Sequence, residues 1–339
     1  MLRMKAVVYD KYGPPHVLHV KDVEKPVPLD NELLIEVRAS EVTKADCEMR
    51  SFNFQVKWFW LPLRLTVGLL KPKKKILGAY FAGEVESVGK DVTRFRAGDQ
   101  VFGATKLRMG AHGEYVCLPD SYTLCAKPYN MSFEEAAAVP LGGLNALHFL
   151  SKANIQAGDK VLVNGAGGSI GTFGVQIAKS MGAEVTAVDT SIKEDMLRQI
   201  GADHFYDYRK EDFTKKGEAY DVIFSMVAHA SFSKCIRALN PKGRYLMANP
   251  RLSDMLRSLL TSILTDKKAI FAFAGEKQEE LLALKEMIEA GRIKPPIDKI
   301  YSFEQAAEAH QRVETEQRRG MVVISTDSIE PIGQSQRQA

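Results

Sequence analysis

The sequence predicts an α/β protein with a β-rich part and a doubly wound parallel sheet, and three features predict it. Residues 1–125 are mostly short strand-like runs separated by Gly, Pro and Asp-Asn turn signals. Residues 160–189 read KVLVNGAGGSIGTFGVQIAKSMGAEVTAVD, which is strand, glycine turn, helix and strand. Beyond Asp189, short β-branched runs alternate with polar or helical segments, the pattern that builds a parallel sheet covered on both faces.

The 160–189 stretch organises the chain. Val161–Val163 is an apolar run bounded by Lys160 and Asn164, and the glycines that follow allow a sharp turn free of Cβ clashes. Ile170, Phe173, Gly174, Ile177, Ala178 and Met181 then recur at helical spacing, and Glu184–Asp189 is a second strand ending in a carboxylate. A diphosphate needs such a turn, because backbone N–H groups and the positive helix end point at it and a side chain would block its approach. The spacing Ala166-x-Gly168-x-x-Gly171 puts Ala where the dinucleotide fingerprint has its first Gly, with Gly165 and Gly167 beside it. Asp189 follows Gly171 by 18 residues, close to the roughly 20 expected for a carboxylate that takes the adenosine ribose hydroxyls. Gly165, Ala166, Gly168, Ser169, Ile170, Gly171 and Asp189 are therefore expected to bind a cofactor. The same residues spell Gly167-Gly168-Ser169-Ile170-Gly171, which fits the nucleophile elbow of a serine hydrolase. Such an elbow belongs after several β/α units and near an HGGG-type oxyanion loop, and neither precedes residue 160.

At 339 residues the chain has room for two domains, and 45% hydrophobic with 26% charged residues is a globular composition. A net charge of +4 gives no reason to expect a nucleic-acid partner. Cys47, Cys117, Cys125 and Cys235 form no C-x-x-C pair and read as reduced thiols of a cytoplasmic protein. MLRMKAVVYDKYG lacks the apolar core of a signal peptide, so export is not expected. Trp58–Leu70 is the most lipophilic stretch, but its 13 residues with Pro62 and Arg64 fall short of a membrane span, which needs about 20. It reads as a buried loop or the wall of an apolar substrate pocket rather than a membrane contact.

In chain order, Lys5–Val8, Val17–Val20 and Leu33–Ala39 are strand-like, and Thr43, Lys44 and Asp46 cluster where the chain leaves the third run. Gly78–Gly89, Asp99–Phe102 and Gly113–Leu118 continue the β pattern, with Gly98-Asp99 as a hairpin turn. Ser132 caps a helix that Pro140 stops, and Leu141–Ala153 is a second helix. His204–Tyr208, Asp221–Met226, Arg244–Ala248 and Ala269–Ala274 are the later strands. Glu276–Ala290 is an amphipathic helix ended by Gly291, Ser302 opens another, and Met321–Ile324 is the last strand.

Taken together, MKAVVYDKYGPP, ILGAYFAGEVESVGKDVTRFRAGDQVFG, GAGGSIGTFGVQIAK, GADHFYDYRKEDF and GRIKPPIDKIYSFEQAAEAH resemble the medium-chain dehydrogenase/reductase superfamily, in its zinc-free branch of quinone oxidoreductases and enone reductases. The resemblance spans residues 4–324. It implies a GroES-like β-rich catalytic domain made of residues 1–129 and 274–339, with a Rossmann domain of residues 130–273 inserted between them. It further implies an active site in the cleft between the two, and a homodimer.

Zinc-dependent members place a Cys near Thr43 and a His near Ala79, followed by a Glu where this chain has Tyr80. They also carry a four-cysteine lobe where only Lys106–His112 stands here. Thr and Ala cannot replace a thiolate or an imidazole ligand, so no metal is expected, and His112 and His148 read as packing or surface residues. Without a Lewis acid to ease removal of a hydroxyl proton, a small apolar quinone or α,β-unsaturated carbonyl is the expected substrate. Its β-carbon accepts hydride, and the enolate oxygen needs only placed donors. Thr43 and Tyr80 are the candidate donors, with Asp46 and Lys44 orienting them.

The cofactor is NADPH or NADH. Asp189 stands where relatives have a neutral residue and favours NADH, because its charge repels a 2′-phosphate. Lys193, Tyr208 and Arg209 fall where the resemblance suggests 2′-phosphate contacts, with Thr190 and Ser191 as further donors. Ser225, which replaces an acid usual after its strand, and Phe271 and Phe273 complete the expected cofactor contacts. An alcohol dehydrogenase-like activity and a nucleotide-bound protein without turnover are the other readings.

Overall fold

The computed structural model describes residues 2–54, 64–65, 67–272 and 275–326. In chain order its strands are β1 (Arg3–Val8), β2 (His19–Glu24), β3 (Glu32–Val42), β4 (Tyr80–Val88), β5 (Gln100–Ala104), β6 (Tyr115–Pro119) and β7 (Leu124–Ala126). They continue with β8 (Lys160–Asn164), β9 (Glu184–Asp189), β10 (His204–Asp207), β11 (Tyr220–Ser225), β12 (Leu239–Met247), β13 (Lys268–Phe271), β14 (Ile297–Tyr301) and β15 (Met321–Ser325).

Strands β8 to β13 form one parallel sheet in the order β10-β9-β8-β11-β12-β13. The central strands β8, β9 and β11 are mainly apolar runs because both of their faces are covered. Val161, Val163, Ala187 and Phe224 pack on one side with Phe173 and Ile177 of the helix Ser169–Ser180. Leu162, Val188, Ile223 and Tyr245 pack on the other. The order reverses beside β8, and in such sheets the crevice at the strands' C-terminal ends is the ligand site. Asn164, Asp189, Asp207, Ser225 and Phe271 all end strands along that edge.

The second sheet has seven strands in the order β14-β15-β3-β4-β5-β7, with β6 also on β3. Both ends of the chain build it, since β15 pairs antiparallel with β3 and sets Val323 opposite Glu41. This junction brings the end of β3 against the parallel-sheet unit, where Ala39, Met321 and Val323 join that unit's core.

Local chemistry explains where the elements depart from expectation. Pro15 opens a 3-10 turn over Pro15–Val17, which moves the second strand on to His19. Pro140 begins the helix Pro140–Ser151 rather than only ending the one before, since a first-turn residue needs no N–H. The link from β4 to β5 runs over 89–99, so Gly98, at φ +88°, closes a long loop and not a two-residue hairpin.

The helix Leu252–Leu264, unanticipated, is built inside out. Asp254 and Ser258 are its buried residues, while Leu252, Leu256, Leu259, Leu260, Ile263 and Leu264 are exposed on one face. Most of Trp58–Leu70, and Phe273, lie outside the described residues. No described helix is long and apolar enough to cross a membrane.

Candidate active site

The turn between β8 and the helix Ser169–Ser180 is an open cradle. Gly165 takes φ +88°, and Gly168 caps the helix in an extended conformation. A Cβ on Gly168 would meet no atom closer than 3.7 Å, whereas one on Gly171 would collide with the backbone of Gly165 and Ala166. Gly168 thus keeps space open above the turn, and Gly171 lets the helix close against the strand. The first-turn N–H groups of Ser169, Ile170 and Gly171 have no acceptor within the helix and point into that space. A diphosphate fits this donor set.

Asp189, at the end of β9, turns in against the cradle. Its Oδ2 accepts from Gly167 N at 2.8 Å, and its Oδ1 accepts from Thr190 N at 2.8 Å. Lys193 Nζ lies 3.2 Å from the same Oδ1, with both side chains buried. The end of β10 stands alongside, since Asp207 pairs with Asp189. Asp207 Oδ1 accepts from Arg209 N at 2.9 Å and its Oδ2 from Ser191 N at 3.3 Å, which leaves the Tyr208 and Arg209 side chains exposed. Ser225 Oγ accepts from Asn164 Nδ2 at 3.1 Å, joining the ends of β11 and β8 at the switch point. Phe271 is partly buried against the core on the far side of β12.

Thr43 and Asp46 form a capping box for the helix Lys44–Ser51. Thr43 Oγ1 donates to Asp46 Oδ2 at 2.6 Å and accepts from Asp46 N at 3.1 Å, and Asp46 Oδ1 accepts from Gly78 N at 3.0 Å. Both are buried, and the Thr43 hydroxyl proton is engaged within the cap. Lys44 is exposed and reaches away to Glu316 at 2.6 Å.

Tyr80 opens β4, and its hydroxyl donates to Glu276 Oε1 at 3.2 Å. Burial and the neighbouring carboxyls of Glu276, Glu41 and Asp46 hold the phenol well above its usual range, so Tyr80 is a hydrogen-bond donor rather than an acid that gives up its proton. Burial also raises Glu276, against the pull of the Tyr80 hydroxyl and the Lys106 ammonium.

Three polar residues here escape a reading of the sequence. Glu276 sits at the start of an amphipathic run and reads as a solvent-facing acid. Glu41 alternates correctly within a strand yet is fully buried, with Ser169 Oγ donating to its Oε1 at 2.6 Å. Arg318, just before β15, is buried with Nε and one terminal nitrogen lacking partners among the described residues. Only tertiary contacts between distant segments reveal them. The Ser169 hydroxyl has no hydrogen bond to a histidine among the described residues, so the elbow reading lacks its base. Among those residues no group of three or more His, Cys, Asp and Glu could hold a metal ion.

Two family descriptions match the chain: an alcohol dehydrogenase GroES-like domain over residues 29–154 and a zinc-binding dehydrogenase over residues 200–324. A quinone oxidoreductase of Sus scrofa is 31% identical over 328 residues, covering 91% of this chain and 94% of that one. A 2-methylene-furan-3-one reductase of Solanum lycopersicum is 29% identical over 334 residues, covering 95% and 79%. The solved structure of a quinone oxidoreductase from Coxiella burnetii superposes with a TM-score of 0.84 at 27% identity, covering 96% of this chain and 100% of that one. The glycine cradle, the sheet order and these likenesses agree: the chain belongs to the medium-chain dehydrogenase/reductase superfamily, in the branch of quinone oxidoreductases and enone reductases, and is an NAD(P)H-dependent oxidoreductase.

Proposed function

We propose that the chain reduces a quinone or an α,β-unsaturated carbonyl, with NADPH preferred over NADH. The observation that carries the substrate reading is Tyr80, a phenol held in its donor form and hydrogen-bonded to Glu276. When bound, the nicotinamide supplies the hydride. Tyr80 then turns its single O–H from Glu276 to the substrate oxygen as negative charge develops there, Glu276 having oriented the phenol beforehand. Thr43 and Asp46 act by position, fixing the helix start beside Gly78 and so the approach to Tyr80. Lys44 ties this segment to Glu316.

The cofactor preference follows from charge. With Lys193 and two backbone N–H groups on the Asp189 carboxylate, its negative charge is largely offset, and exposed Arg209 with Thr190 and Ser191 adds donors for a 2′-phosphate. Ser225 and Phe271 flank the crevice on its other side.

A homodimer accounts for the inverted helix. Among the described residues β13 is the edge of the parallel sheet, and the helix Leu252–Leu264 with its exposed leucines packs near it, so a second copy related by a two-fold axis would cover both at once. The proposed division of the chain, 1–129 with 274–339 around 130–273, keeps the parallel sheet whole. Four free, buried cysteines suit a cytoplasmic enzyme.

The test follows loss of absorbance at 340 nm with NADPH or NADH against quinones, enones and saturated ketones. Turnover confined to quinones and enones supports the reading, and turnover of saturated ketones alone overturns it.

A further inference from the structure

One hydrogen bond ties β3 to the first residue of the cofactor helix across 128 residues of sequence, from Ser169 Oγ to Glu41 Oε1 at 2.6 Å. Glu41 is completely buried, and its Oε2 has no partner among the described residues. The groups that act on it come from four segments. Ser169 on the helix and the Arg318 guanidinium before β15 favour the carboxylate, Asp46 of the capping box disfavours it, and Tyr80 on β4 faces it with its phenol protonated. Burial outweighs these and raises Glu41 to about 8. Arg318 is the cation among them, and no ion pair joins it to Glu41 among the described residues.

The arrangement creates a competition at Ser169. Its single hydroxyl proton is directed at Glu41, while the N–H groups of the same helix turn are the donors for a diphosphate. A carboxylate bonded to Ser169 sits one hydroxyl away from the helix turn that receives the diphosphate, so the two negative charges repel. A neutral carboxyl group there removes the repulsion, and its own O–H gives Oε2 or Oε1 a proton to donate.

We propose that Glu41 is a positioning residue that admits the cofactor diphosphate only as the neutral acid, so that docking fixes one proton on Glu41 and frees the Ser169 hydroxyl to face the diphosphate. The proton comes from solvent whenever Glu41 starts ionised, and no other bond changes. The proposal rests on the reading of the glycine turn as the cofactor cradle and adds to it a proton-linked gate contributed by the other sheet.

Calorimetric titration of the full chain with NADPH and with ADP-ribose, which lacks the nicotinamide, tests it in buffers of different ionisation enthalpy between pH 6 and 9.5. Uptake approaching one proton per cofactor is expected at and above pH 8.5, with both ligands weakening roughly tenfold per pH unit there. Glu41→Gln should bind both ligands with a flat pH profile and no uptake in that range. Wild-type binding without proton uptake at pH 9 overturns the proposal even if the variant does not fold, as does an unchanged pH slope in a folded Glu41→Gln protein. Absence of binding of either ligand by wild type at every pH instead overturns the cradle reading itself.

Discussion

Lys193 Nζ stands 3.2 Å from Asp189 Oδ1, and both side chains are buried over Gly167, where a Cβ would collide with the lysine stem. The carboxylate at the end of the second parallel strand therefore carries its own counter-ion, four residues on in sequence. A 2′-phosphate approaching this corner meets an ion pair and an exposed arginine rather than a bare negative charge.

Lys193→Ala should accordingly lower kcat/KM for NADPH relative to NADH by about tenfold, because it both removes a cation and uncovers Asp189. Asp189→Ser should shift the ratio the other way. Steady-state kinetics with both cofactors decide the point, and equal ratios in wild type and both variants exclude this corner as the discriminating one.

Gly168 and Gly171 separate cofactor binding from folding. Gly168→Val has room in the fold and places its side chain in the diphosphate space, so cofactor affinity should drop by more than tenfold, about 1.4 kcal/mol, with an unchanged melting temperature. Gly171→Val should instead destabilise the protein, because its side chain meets backbone on the opposite side of the turn. Fluorescence titration paired with thermal denaturation distinguishes them.

Tyr80→Phe should reduce kcat by about a hundredfold with little change in KM, the signature of a donor used mainly as charge develops. A pure rise in KM would make Tyr80 a binding residue only.

Glu41 also makes stability depend on pH. Its carboxyl titrates near 8 in the folded chain, against an ordinary value of 4.5. Between these values the folded state holds a proton that the unfolded state has lost, so this stability is complete below 4.5 and is lost as pH rises toward 8. The wild type should lose roughly 1.4 kcal/mol per pH unit in that window relative to Glu41→Gln. Parallel denaturant curves at pH 5 and 8 measure the difference.

Prolonged chelation should leave quinone or enone reduction unchanged. Metal analysis of the active protein should find no stoichiometric zinc. Loss of activity that zinc restores would sink the donor-only mechanism.

The glycine turn was legible in the sequence because its logic is largely local: strand, turn and helix are consecutive, and Gly171 needs its small size because of Gly165 and Ala166 a few residues earlier. The later strands were legible for a similar reason, since burial on both faces leaves continuous apolar runs such as Val161–Val163. Thr43 and Asp46 show the limit. Their spacing is that of a capping box and of a reactive cluster alike, and only the bonds distinguish the two. Glu41 and Glu276 were hidden more deeply, because an acid in an alternating strand or at a helix start reads as solvent-facing until a segment more than a hundred residues away closes over it. Leu252–Leu264 was hidden because its apolar side lies away from its own core, so neither its neighbours nor its flanks announce what it packs on.

That helix carries a consequence for handling the protein. Its inward side offers the sheet mainly Asp254 and Ser258, so it gains little adhesion from its own chain, and an isolated helix of 13 residues is marginal in water. Its order then becomes a mass-action variable, set by how many copies share the solution. Amide exchange confined to 252–264 should slow as protein is concentrated and quicken on dilution, ahead of any change elsewhere in the fold.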